Sequence, residues 1–198
     1  MLCAAAATEA AAQDGTIVLN QQLQLGDVFA GQTLNVVDSQ DQVTVQTSAQ
    51  GNSASGAVYN GAITVQSDQT MQGDAVATTD ITLGGDTYGV VNATTQAGGN
   101  YLAVSAYDAA LTLDATQTTD DGLVSATTEV GDSAARLHAG AAVGASAISN
   151  TVAVYGQTSV VSGTIDQTSS AIVRSFGRIE SQYIPAEASV TSQAIANA

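Results

Sequence analysis

The chain has 198 residues and carries 18 acidic against 3 basic side chains, a formal net charge of −15 at pH 7. Its three cations, Arg136, Arg174 and Arg178, are too few to neutralise a phosphate backbone, which excludes nucleic acid as a partner. One cysteine (Cys3) and one histidine (His138) exclude an internal disulfide and a Cys/His zinc site, and the absence of lysine disfavours enzymes that depend on it or cradle phosphate. With 44% hydrophobic residues in spaced pairs, the composition is that of a structured chain. The 4% of aromatic residues implies a core of small side chains, suited to thin, closely stacked layers.

Residues 1–12, MLCAAAATEAAA, read as the remnant of a secretion signal or as a disordered N-terminus. Ala10-Ala11-Ala12 before Gln13 is an A-x-A cleavage pattern, although the stretch lacks a basic start and contains Glu9. Removing it would leave a mature chain without cysteine, as suits an exported protein. No stretch approaches the roughly 20 apolar residues of a membrane-spanning helix, so no transmembrane segment is expected.

From residue 13 to 198 the sequence reads as a single repetitive all-β region, open at its C-terminus as in an incomplete copy. Val43-Thr44-Val45-Gln46-Thr47, Ile63-Thr64-Val65-Gln66-Ser67, Ile81-Thr82-Leu83, Leu111-Thr112-Leu113-Asp114 and Val152-Ala153-Val154-Tyr155 place apolar residues at i and i+2. That is the period of a strand with one buried face. Turn formers separate them: Gly51-Asn52, Asn60-Gly61, Gly73-Asp74, Gly84-Gly85-Asp86, Gly98-Gly99-Asn100, Asp121-Gly122 and Gly131-Asp132. Residues 131–150, GDSAARLHAGAAVGASAISN, admit two readings. Asp132 and Ser133 could cap a helix through His138, while the glycines suit a narrow coil better.

A loose repeat underlies the alternation. VTVQTSAQGNSASG (43–56) aligns with ITVQSDQTMQGDAVA (63–77), and LTLDATQTTDDG (111–122) and SGTIDQTSSAI (162–172) follow more weakly. Such a unit cannot bury its apolar face alone, whereas stacking coils at about 4.8 Å pairs the backbone and buries a column of small residues. The expected fold class is all-β, a β-solenoid (β-helix-like) or a related stacked repeat array.

Candidate chemistry is sparse. His138 would need a nucleophile and a carboxylate brought to it to act in a triad, and a surface or edge histidine is the simpler reading. Asp120-Asp121, or Asp38 with Asp41, could act as paired acids, but such acids at turns usually form solvated corners. Gly84-Gly85-Asp86-Thr87-Tyr88-Gly89 partly follows a calcium-binding nonapeptide, yet its order is broken and no tandem copy follows. No catalytic, cofactor-binding or metal-ligating residue is therefore expected, no cofactor, and no enzymatic activity.

The segment QDGTIVLNQQLQLGDVFAGQTLNVVDSQDQ (13–42), together with NATTQAGGNYLAV and SNTVAVYGQTS further on, resembles the holdfast-anchoring protein D family (HfaD) of stalked bacteria. The resemblance implies an exported protein of the outer membrane or cell surface that attaches an adhesive polysaccharide, the holdfast, to the envelope. Its partners would be that polysaccharide and other envelope anchor proteins. No binding residue is carried over, and family members are typically longer.

Two modes of polysaccharide contact follow from the composition. Tyr59, Tyr88, Tyr101, Tyr107, Tyr155 and Tyr183 could stack on sugar rings beside Gln, Asn and Asp hydroxyl partners, or could simply cap strand edges. Alternatively, the acidic surface would attract cationic, deacetylated polymers in a salt-sensitive way. Gln-, Asn- and Thr-rich strands also suit self-association, so the alternative function is a curli-like self-assembling fibre subunit of the extracellular matrix.

Overall fold

A strand that hides one face must find something to cover it. Residues 16–198, which the structure (a computed structural model) describes, solve this by winding into coils. The first coil comprises β1 (Thr16–Gln24), β2 (Val28–Val36) and β3 (Val43–Tyr59). The second comprises β4 (Ala62–Gln72), β5 (Ala75–Leu83), β6 (Asp86–Thr87) and β7 (Val91–Tyr107). The third repeats it with β8 (Ala110–Asp120), β9 (Leu123–Gly131), β10 (Arg136–Leu137) and β11 (Ala141–Gln157). The fourth is β12 (Val160–Ser169), β13 (Ile172–Glu180) and β14 (Ala188–Asn197). The expected leader, residues 1–12, lies outside the described residues.

Equivalent strands of successive coils pair in parallel and in register. They form three four-stranded sheets, β1-β4-β8-β12, β2-β5-β9-β13 and β14-β11-β7-β3, with β6 and β10 pairing at a corner. This is the expected all-β solenoid. The long strands β3, β7 and β11 span the other two sheets, and the core falls into three clusters between them. One gathers Ile81, Leu83, Val91, Val130 and Leu137. A second gathers Ile63, Leu102, Val104, Leu111 and Leu113. The third, at the waist, is narrow and built of Ala49, Ala77, Ala97, Ala126 and Ala147 around Met71. Full burial of each Leu, Ile or Val contributes about 1.5–3 kcal/mol, so the wide lobes hold the waist together.

Residues 131–150 form β10 and the start of β11, with no helix among the described residues. The alanines at 141, 145 and 147 and Val143 point inward at strand spacing, and β11 is bonded to β7 and β14 on its two sides. Tertiary pairing overrides the helix propensity of alanine here.

The repeat is longer than the eye-drawn alignment. Residues 43–56 lie in the sheet of β3 while 63–77 lie in β4 and β5, so those two segments belong to different faces. The true equivalents are 63–72 with 111–120, Ile63 standing beside Leu111. One coil therefore takes 47 to 50 residues, as the spacing of bonded equivalent side chains confirms. Gly51-Asn52 and Gly98-Gly99-Asn100 are not turns but mid-strand bends inside β3 and β7. There Gly99 and Asn100 are buried in succession. A Cβ on Gly99 would stand 2.4 Å from the carbonyl oxygen of Ser149, and one on Gly51 2.7 Å from that of Gly99. At Gly51 and Gly99 a side chain would collide with the next coil, whereas the third coil carries Ser149 at the equivalent position.

Candidate functional site

The interior carries three polar columns that alternation alone does not reveal. At the waist, Asn52 donates to Asn100 Oδ1 at 2.8 Å, Asn100 to Asn150 Oδ1 at 2.8 Å, and Asn150 to Asn197 Oδ1 at 2.9 Å. Facing them, Gln69 donates to Gln22 Oε1, Gln117 to Gln69 Oε1 and Gln167 to Gln117 Oε1, all within 2.7–2.8 Å. Between the β5/β9 layer and the β3/β7 layer, the hydroxyls of Thr47, Thr79, Thr95 and Thr128 stand 2.7 Å from one to the next. No buried side-chain nitrogen or oxygen among the described residues lacks a partner. The columns therefore fix coil register without the cost of an orphaned polar group.

The outer surface is divided by charge. On the sheet of β4 and β8, Asp68 and Asp166 share a column with Thr116 between them. On the sheet of β5 and β9, Asp80 stands beside Glu129 and Glu129 beside Arg178. The sheet β14-β11-β7-β3 differs, since none of its four strands contains an Asp, Glu, Lys or Arg.

His138 sits at the corner after β10. Its Nε2 lies 3.2 Å from Asp86 Oδ1, and its ring stacks on Tyr88 at 4.4 Å and meets Tyr183 edge-on at 5.8 Å. No serine or threonine hydroxyl among the described residues bonds to the imidazole, so the geometry of a nucleophile–base pair is not assembled at this histidine. Asp121 occupies a turn with φ of 31° and its backbone N–H donates to Ser170 Oγ. Asp38 accepts the backbone N–H of Asp86 at 3.0 Å, and Asp41 lies exposed beside it in the chain. Asp38 thus links successive coils through its carboxylate and Asp121 through its backbone. Gly85 belongs to the same stacking, because a Cβ there would stand 2.6 Å from the carbonyl oxygen of Val37. Among the described residues no group of three or more His, Cys, Asp or Glu is placed to hold a metal ion. Asp132 turns the chain after β9; the backbone N–H of Ala134 and the hydroxyl of Ser133 bond its carboxylate and hold its pKa below the usual carboxylate value.

The tyrosines form columns rather than a scatter. Tyr59 and Tyr107 stack at 5.0 Å with planes 8° apart, and Tyr155 meets Tyr107 at 5.8 Å and 53°. Tyr88 and Tyr183 flank His138, leaving Tyr101 by itself on the outer face of β7. Rings stacked on each other cover part of one another's faces, while Tyr59, Tyr155 and Tyr183 remain exposed.

The arrangement defines a parallel β-solenoid whose chemistry is spread over flat outer sheets and axial ladders rather than gathered in a cleft. Residues 37–198 match the family model described as Holdfast attachment protein D, and the chain belongs to that family. The match takes in every coil after the first, including the segments 92–104 and 149–159; most of the segment 13–42 lies ahead of it. No curated protein and no solved structure matches the chain. No helix among the described residues is long and apolar enough to cross a membrane.

Proposed function

We propose that the chain is a non-catalytic cell-surface protein that anchors an adhesive polysaccharide, the holdfast, to the outer envelope, acting with other envelope anchor proteins. The observation that carries this reading is the family match over residues 37–198, since the matched stretch is the ladder-bonded rod itself. A rod of in-register coils transmits load along hydrogen bonds that run parallel to its axis, and its outer sheets offer extended surface to a polymer. The deciding experiment is a chromosomal deletion with a tagged complementing copy. Surface localisation of the tagged chain, with adhesive shed into the medium by the deletion strain, is the expected result. Unaltered attachment of the deletion strain would overturn the anchoring role.

The axial Asn and Gln ladders favour one further reading, a curli-like fibre subunit growing end to end, because identical ladders run through cross-β stacks. Thioflavin-positive fibres that lengthen with concentration are its signature, and a stable soluble species is that of the anchor.

A further inference from the structure

Past the mid-strand bend, the sheet β14-β11-β7-β3 narrows to three strands, because β14 pairs only with residues 141–150 of β11. Four of the six tyrosines lie on the outer side of this part. On β7, Leu102, Val104 and Ala106 are buried, so Tyr101, Ala103, Ser105 and Tyr107 point outward. Register places Tyr59 of β3 and Tyr155 of β11 on the same side. None of the three strands contains an Asp, Glu, Lys or Arg.

Tyr59, Tyr107 and Tyr155 make a ridge toward the strand ends, with ring contacts of 5.0 and 5.8 Å. Tyr101 stands roughly 20 Å from Tyr107 along β7, at about 3.3 Å per residue. Between them the floor is Ala103 and Ser105, paired with Ser55 and Ala57 on β3. These side chains are too short to cover either ring, so the aromatic groups bound a shallow, uncharged trough. Tyr101 is not explained by the needs of the fold. It sits mid-strand, its neighbours across the sheet are Ser53 and Thr151, and no ring among the described residues packs against it. Its backbone is nevertheless held from inside. Gln69 donates to the carbonyl oxygen of Tyr101 at 3.0 Å, and Gln22 and Gln117 do the same for Ser53 and Thr151 at 2.9 Å. The glutamine ladder thus fixes the row that carries the ring, and a side chain on a fixed backbone loses less freedom on binding.

We propose that this trough is a carbohydrate-binding site for an uncharged glycan chain, which lies along β7 with sugar rings stacked on Tyr101 and on the tyrosine ridge. Aromatic faces are large apolar surfaces that suit the C–H faces of sugar rings. Ser and Tyr hydroxyls beside them both donate to and accept from sugar hydroxyls. Charge selects the class of ligand. On a body of net charge −15 an anionic polymer is repelled, and a cationic one is drawn to the carboxylates of the other two sheets. Resting on the polysaccharide-anchoring role, the site gives that role a ligand class and a place.

Isothermal titration of the full chain with soluble oligomers of β-linked glucose, of N-acetylglucosamine and of glucosamine tests this. Binding of at least one of the two uncharged oligomers is expected, constant to within about twofold between low and high salt. Tyr101→Ala weakens it about tenfold or more, while Tyr101→Phe, which keeps the ring, stays within about threefold of the parent. Tyr183→Ala, at the corner beside His138, changes it by less than about threefold. Ala103→Gln fills the trough floor and leaves every tyrosine in place, so it repeats the loss if Tyr101→Ala does not fold by circular dichroism. No binding of either uncharged oligomer overturns the proposal. Binding of the cationic oligomer alone, or equal losses from Tyr101→Ala and Tyr183→Ala, overturns it too. A chromosomal Tyr101→Ala allele separates the site from the anchoring role. Adhesive shed by the deletion strain but held normally by the allele overturns the site alone. Unaltered attachment of the deletion strain, with oligomer binding lost in Tyr101→Ala, overturns the anchoring role and leaves the site standing.

Discussion

Asn100 donates its side-chain amide to Asn150 Oδ1 at 2.8 Å while its own Oδ1 accepts from Asn52 at the same distance. Its second amide proton goes to the carbonyl oxygen of Thr118 at 2.8 Å, and the residue is 1% exposed. Both amide protons and the carbonyl oxygen of this buried side chain are thus engaged, across three coils at once.

Replacing Asn100 with Ala strands the Asn52 amide and the Thr118 carbonyl in a dry waist. At about 1–3 kcal/mol for each orphaned group, the variant should lose on the order of 3 kcal/mol. Asn100→Asp should be no milder, since it substitutes a buried charge for two donors. Asn197, an end rung of the described ladder with partly exposed partners, should cost about 1 kcal/mol or less on truncation. Urea unfolding midpoints rank the three. Equal costs at Asn100 and Asn197 would mean the ladder does not act as a continuous element.

The threonine column makes a different prediction, one of non-additivity. Thr95 lies between the hydroxyls of Thr79 and Thr128, both 2.7 Å away and all fully buried. Thr95→Val keeps the shape but leaves both neighbours short of a partner, for a loss of about 1–2 kcal/mol. Converting Thr47, Thr79, Thr95 and Thr128 together to Val removes all the hydroxyl–hydroxyl bonds at once, leaving only Gln32 Oε1 and the Gly144 carbonyl to lose a donor, and should cost less than the four single changes combined. Thermal melts of the singles and the quadruple check this, and strict additivity would show that the hydroxyls act independently.

How much of this was legible beforehand follows from what alternation encodes. Val43–Thr47, Ile63–Ser67 and Leu111–Asp114 all lie in strands, because a period of two is local and survives any tertiary setting. Coil length is not local. It shows only as equivalent residues recurring at 47 to 50 positions, as Asn52, Asn100, Asn150 and Asn197 do. Glycine beside asparagine or aspartate reads as a turn, and at Gly73-Asp74 it is one. At Gly51-Asn52 the same pair bends a strand, and the asparagine turns inward to join a ladder that the sequence gives no local reason to expect. The pairing of His138 with Asp86, 52 residues apart, was likewise out of reach, since corner contacts depend on knowing the coil.

One corner recurs in three coils, and its residues are unequal. Asn60, Asp108 and Thr158 each follow the long strand with positive φ of 52°, 50° and 52°. Asn and Asp tolerate this left-handed region, whereas a β-branched residue is strained there. Thr158→Asn should therefore stabilise the chain by about 1 kcal/mol, and the reciprocal Asn60→Thr should destabilise it by a similar amount. In a chain of this length about 1 kcal/mol moves Tm by roughly 2–4 °C, well within calorimetric precision. The two shifts should be opposite in sign. A Tm for Thr158→Asn at or below that of the parent would mean that the threonine hydroxyl or methyl contributes more at this corner than relief of the backbone returns.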